Sequence, residues 1–218
     1  MAKLIGRNTR VEVQKTLGSP ITITDITKAN PGVVTYTGTD PTEGDVIVLA
    51  TTIEGMLEVA GQVARVNNLA GTANTFDLES LNTTNFTEFD TTGTPEFKVV
   101  SDWATLGYAR SLNAGSASPN KIDATVLLDP IKQYLLAQSD TPEITVDSIS
   151  NPLAEAYQIV EQAAYDATML AFRVTLSDGS KRIFGGFVSL PSENIPLGDL
   201  ITSSFSIIQV GRRMAFAS

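Results

Sequence analysis

The chain has 218 residues, with 15 basic and 24 acidic side chains for a formal net charge of −9, and it contains neither cysteine nor histidine. Such a length suits one or two domains and buries a core without covalent staples. The missing residue types exclude disulfides, thiolate nucleophiles, Cys-ligated metals, His-based triads and the imidazole pH switch, and the acidity argues against a grip on nucleic acid or anionic lipid.

Val, Ile and Thr account for 59 of the residues, and 16 Gly and 10 Pro punctuate them. Branched side chains crowd a helix but sit well on a pleated surface, so the composition points to β structure. No apolar run approaches the roughly 18 residues that span a bilayer, so membrane insertion is not expected. The opening MAKLIGRNTR has no apolar core of a secretory signal.

In chain order, residues 10–15 alternate as R-V-E-V-Q-K and read as a strand with Val11 and Val13 inward. A turn at 18–20 follows. Residues 21–29 and 32–37 flank Asn30-Pro31-Gly32, a strong turn signal. Further short strands are predicted over 46–49, 62–66 and 74–78, and the spacing suggests a small barrel or sandwich closed by a loose linker at 91–95.

Beyond this module, strands are predicted at 97–101, 103–112 and 122–128, with a small-residue loop at 113–120. Asp129-Pro130 offers an N-cap and N1 proline for a short helix through 138. Residues 143–149 alternate again. Asn151-Pro152 repeats the capping signal before a stronger helix whose apolar face is Leu153, Ala156, Tyr157, Val160, Ala164 and Ala167. Residues 172–176 and 182–188 form a hairpin around Asp178-Gly179, and 200–210 supply a final strand. The expected fold is mainly β: a sandwich or barrel core (1–20 and 96–218) with one or two packed helices, plus a small inserted β-domain over 21–95.

No catalytic constellation emerges. Gly107-Tyr108-Ala109-Arg110-Ser111 lacks phosphate-loop spacing, and Gly185-Gly186 in mid-strand reads as a bulge or close backbone approach. Asp40/Glu43/Asp45 and Glu88/Asp90 have no calcium-loop spacing and read as loop carboxylates. Lys181-Arg182 reads as a solvated hairpin tip or edge gatekeeper, and Trp103 as core or interface. No cofactor or metal-ligand set is legible.

Three segments resemble the major tail tube proteins of long, non-contractile-tailed bacteriophages. They are Lys121-Ile122-Asp123-Ala124-Thr125-Val126-Leu127-Leu128-Asp129, residues 144–152 running into the helix, and the stretch FRVTLSDGSKRIFGGFV at 172–188 with Pro196-Leu197-Gly198-Asp199-Leu200-Ile201-Thr202 behind it. Residues 6–18 are similar to the family's opening strand, and 21–90 resemble a β-module found inserted near the front of phage structural proteins.

This resemblance implies a structural virion protein and no enzyme: hexameric rings stacked head to tail into a hollow tail tube that conducts the genome. Its partners would be copies of itself, the tape-measure, tail-terminator and distal-tail proteins, and double-stranded DNA in passage. It would be assembled in the host cytoplasm and reside in the virion tail. Candidate contacts between subunits or rings are Arg7, Arg10, Asn113, Ser116, Ser118, Phe172, Val174, Phe187, Phe205, Ile207, Arg212 and Arg213. The competing readings are a virion adhesion module for carbohydrate or receptor, and a hydrolase with two carboxylates. The acidity is local: residues 21–95 carry two basic and ten acidic side chains, which leaves a net of −1 for the remainder.

Overall fold

The computed structural model describes residues 9–71, 73–115, 119–126, 131–139 and 141–217. Fifteen strands and one α-helix occur among them: β1 (Arg10–Leu17), β2 (Ile21–Ile26), β3 (Val33–Thr37), β4 (Val46–Leu49), β5 (Val63–Ala70), β6 (Thr75–Leu78), β7 (Glu96–Thr105), β8 (Ala109–Ala114), β9 (Pro119–Asp123), β10 (Tyr134–Ser139), β11 (Glu143–Ile149), α1 (Glu155–Tyr165), β12 (Met169–Thr175), β13 (Lys181–Val188), β14 (Ser192–Asn194) and β15 (Thr202–Phe216). The fold is mainly β, as the branched-residue content implies.

The first half closes on itself. Strands run in the order β2-β3-β6-β5-β4-β7, and β2 also pairs with β7 through Ile21↔Phe97 and Thr22↔Glu96. The result is a closed six-stranded barrel, whose interior receives alternate side chains of each strand. Tyr36, Phe76 and Phe97 meet there with ring centroids 5.3–5.9 Å apart, in the tilted and edge-on geometries that aromatic quadrupoles favour. Gly32 follows a cis Asn30-Pro31 bond, and a Cβ on it would stand 2.6 Å from Thr83 Oγ1. That hydroxyl accepts from the Ala29 N–H at 3.1 Å and lies 2.7 Å from the Thr27 carbonyl, so the β2–β3 turn admits only glycine there.

The C-terminal half of β7 leaves the barrel and pairs with β1, starting a second run β7-β1-β12-β13-β15-β11-β8. One face of this run packs on α1 around Val13, Val160, Phe172, Phe184, Phe205 and Ile207. Phe172 and Phe184 are register partners with stacked rings 5.5 Å apart. β7 thus serves both units. The barrel's apolar cluster also extends to Ala171, Ile183, Met214 and Phe216 of the second run, and Arg65 lies 5.1 Å over the Phe216 ring.

Four expectations change. Residues 131–138 are not helical: Tyr134–Ser139 is strand β10, paired antiparallel with β9. A short apolar run fits helix and strand equally by periodicity, and the cross-strand partner at 119–123 decides it. The Asp129-Pro130 cap falls outside the described residues. Strand β7 runs unbroken from 96 to 105, so Trp103 belongs to it and the turn comes at 106–108. The predicted strand at 122–128 begins earlier, at Pro119, and ends at Asp123. Helix α1 starts at Glu155 behind Ala154 without a side-chain cap. Asn151 instead closes a turn by accepting the Ala154 N–H, while Leu153 and Ala167 lie exposed and Ala163 takes the buried position.

Candidate assembly surface

On β15 Thr202, Ser204 and Ser206 share one face, with Ser203, Phe205 and Ile207 on the other; on β11 Glu143, Thr145 and Asp147 likewise face away from Ile144, Val146 and Ser148, and S-L-N-A on β8 follows the same period less strictly. Because successive side chains point to opposite faces, each strand presents one apolar and one polar edge. The registers align these faces. Ser111 opposes Asp147, Asp147 opposes Ser204, and Ser204 opposes Ser192, giving one polar row across β8, β11, β15 and β14. The next row is Asn113, Thr145 and Ser206. The Ser111 hydroxyl donates to Asp147 Oδ2 at 2.5 Å, and Ser192 and Ser204 share a hydrogen bond of 3.0 Å between their hydroxyls.

The first of these rows lines an open trough of about 530 Å³, in which Asp147 and Glu193 outnumber Arg110. The opposite face, with Leu112, Val146 and Phe205, belongs to the core under α1. At each side of this four-strand patch stands an edge: among the described residues β8 pairs only with β11, and β14 only with β15.

The contact residues proposed from sequence divide by this alternation. Phe172, Val174, Phe205 and Ile207 are buried in the subunit's own core and are not available to a neighbour in this fold. The surface face of β15 is instead carried by Thr202, Ser204 and Ser206. Asn113 is exposed on the edge strand β8, and Phe187 is partly exposed on β13 opposite Ile208. Arg212 and Arg213 are exposed where the β13–β15 register shifts at Gly211, whose φ is +67°. Arg10 is exposed at the start of β1, 3.8 Å from Glu12. Arg7, Ser116 and Ser118 lie outside the described residues. The polar rows have a sequence signal of their own, polar side chains at every second position of strands whose large apolar members point inward.

The loop carboxylates have local work. Glu43 accepts the N–H groups of Asn68 and Leu69 at 3.0 and 2.9 Å, and Asp45 accepts that of Thr42 at 2.8 Å. Asp90 is held below the usual carboxylate range by the Thr92 N–H and hydroxyl. Among the described residues no group of three or more acidic side chains could hold a metal ion, and no helix is long and apolar enough to cross a membrane. The turn at Asp178-Gly179 has the expected form, with Gly179 at φ +84° and Asp178 accepting the Ser180 N–H at 3.0 Å.

A family model described as phage tail tube protein matches residues 54–199, more than half of the chain, and the chain belongs to that family. It is a structural protein of the bacteriophage virion, a tail tube subunit. A solved chain from the tail of an empty GTA particle, computed with helical refinement in C6 symmetry, is similar at 12% identity and a TM-score of 0.41, over 53% of this chain and 87% of that one. No curated protein matches the chain.

Proposed function

We propose that the chain forms hexameric rings that stack into the hollow tail tube of a long, non-contractile-tailed phage, with the β8-β11-β15-β14 patch facing the channel. The observation that carries this reading is the pair of cross-strand rows, Ser111-Asp147-Ser204-Ser192 and Asn113-Thr145-Ser206, which contain hydroxyls, an amide and one carboxylate but no cation. Duplex DNA carries dense negative charge and is retained by Lys and Arg. A neutral-to-acidic wall lets it pass. The free edges of β8 and β14 suit strand addition between neighbouring copies.

In this reading residues 1–20 and 96–218 form the ring-building core, and the barrel over 21–95 is peripheral. Its net charge of −8 then keeps finished tubes apart in solution. The role is architectural and includes no catalytic step. Tape-measure, tail-terminator and distal-tail proteins are the partners at the tube's lumen and ends, double-stranded DNA is cargo in passage, and assembly takes place in the host cytoplasm. Negative-stain microscopy of the purified protein tests the reading. Rings or tubes with a central hole are expected; a monomer at every concentration, even with tail partners added, overturns it.

A further inference from the structure

Strand β7 changes partners along its length. Its pairing with β4 ends at Ile47↔Val99, and from Val100 to Thr105 it pairs with β1 alone among the described strands. That stretch is a further edge of the sheet run, at the end opposite β8. The Leu106 N–H donates to the Val11 carbonyl at 2.8 Å. Alternation along the strand then turns the backbone of Ala104 toward β1, and the N–H and C=O groups of Trp103 and Thr105 outward. An edge of this kind is a template for pairing with another chain.

Here the edge is covered from within the subunit. The Trp103 N–H donates to Asp102 Oδ1 at 2.8 Å, and the Thr105 carbonyl accepts the Gly107 N–H at 2.9 Å. Asp102 is itself held from β1. The register passes from Gln14↔Trp103 to Thr16↔Asp102, so Lys15 is the extra residue of a bulge. Its Nζ lies 3.2 Å from Asp102 Oδ2 and 2.9 Å from Glu155 Oε1 at the start of α1. Aspartate is a poor strand residue, whereas bulges and charged side chains are the devices that keep sheet edges from pairing. The Lys15 ammonium, with the Trp103 N–H, holds the Asp102 carboxyl below its ordinary range, so the cap is ionised at neutral pH.

We propose that Asp102, positioned by Lys15, closes the outer edge of β7 to a second copy of the chain, so that β8 of a neighbour adds to β14 and not to β7. The inference rests on the ring reading and names which edge that reading uses. A strand arriving at β7 needs the Trp103 N–H as a donor, and Asp102 already occupies it. Addition at β7 would break the four-strand repeat β8-β11-β15-β14 from one copy to the next, and a head-to-tail contact whose rotation does not close gives open assemblies in place of rings.

The test compares Asp102→Ala, Asp102→Asn and Asp102→Ala with Thr105→Pro, each assembled beside the wild type and followed by sedimentation and negative-stain microscopy. Asp102→Ala should raise the share of protein in irregular material without a central hole at least threefold. Asp102→Asn keeps an oxygen that accepts from Trp103 and should stay near the wild type. Thr105→Pro removes an outward donor of the same edge and should return the Asp102→Ala protein to rings. Normal assembly of Asp102→Ala overturns the proposal, and so does an Asp102→Asn protein as irregular as Asp102→Ala. Irregular material that Thr105→Pro does not reduce overturns it too, because a merely destabilised subunit gains nothing from that proline. In all three cases wild-type rings leave the ring reading standing; wild-type protein that forms neither rings nor tubes overturns that reading and this proposal with it.

Discussion

Gly185 of β13 lies directly against Val63 of β5: a Cβ placed on Gly185 would stand 2.7 Å from the Val63 Cγ2. This is where the barrel rests on the second sheet run, with Met169 Sδ 3.4 Å from the same point. Gly185→Ala is therefore expected to destabilise the protein by about 1–3 kcal/mol through overpacking. Val63→Ala alone should cost about 2 kcal/mol through the cavity that it leaves. The double variant should be less destabilised than the sum by about 1 kcal/mol, because each change relieves the other. Urea melts of the four proteins measure this coupling, and strict additivity would show that barrel and sheet are not in contact here.

Glu12 and Arg173 form a second buried relationship. Arg173 Nε donates to Glu12 Oε2 at 2.7 Å, and its guanidinium carbon lies 4.4 Å over the Trp103 ring. Glu12 is only 5% exposed. Arg173→Met leaves that carboxylate buried with only Arg10 nearby and should cost about 3 kcal/mol or more. Replacing both members, as Glu12→Leu with Arg173→Met, should recover most of the loss, since an apolar pair escapes the desolvation penalty. Thermal melts that find the double variant as unstable as the single one would show that the pair does more than satisfy its own charges.

How much of this was legible in the sequence depends on the range of the interaction. Asn30-Pro31-Gly32, Asp178-Gly179 and the amphipathic stretch around Val160 announce themselves because turn and helix chemistry is local. Gly185-Gly186 was readable as a close backbone approach, and Val63 and Ile207 are what approach. Barrel closure was not readable, because it depends on Ile21 meeting Phe97 across the whole module. The β9–β10 hairpin was hidden behind the Asp129-Pro130 capping cue. The polar rows of the proposed assembly face were hidden for a different reason: Phe205 and Ile207 share β15 with Ser204 and Ser206, and the period of two places the conspicuous residues inside.

Alkaline stability isolates one group in the barrel. The Tyr36 hydroxyl donates to Asp40 Oδ1 at 2.9 Å, and burial, reinforced by that carboxylate, pushes its pKa from 10.0 up to about 12. The folded state therefore holds a proton that the unfolded chain releases near pH 10. Stability from this source is complete below pH 10 and is lost as pH rises from 10 to 12, by about 1 kcal/mol at pH 11. Tyr36→Phe keeps the ring packed against Phe76 and Phe97 but removes the proton. Denaturation midpoints at pH 9 and 11 should fall further for the wild type than for this variant; equal falls would place the alkaline sensitivity elsewhere.

The free edge of β8 gives the sharpest test of lateral assembly. The Gly115 N–H donates to the Glu143 carbonyl at 2.8 Å, and the register continues through Asn113↔Thr145 and Ser111↔Asp147. Alternate residues of an antiparallel pair exchange both hydrogen bonds, so the N–H groups of Asn113 and Ser111 point toward β11. Those of Leu112 and Ala114 point outward to the open edge. Ala114→Pro removes one outward donor without breaking the ladder to β11, and it should change subunit stability by no more than about 1 kcal/mol. It should nevertheless abolish rings if β8 adds to the sheet of a neighbouring copy. Asn113→Pro serves as the contrasting variant, because it breaks the internal ladder and should destabilise the subunit more. Sedimentation and microscopy that find normal rings from Ala114→Pro would exclude β8 as the lateral seam and leave the role to another edge.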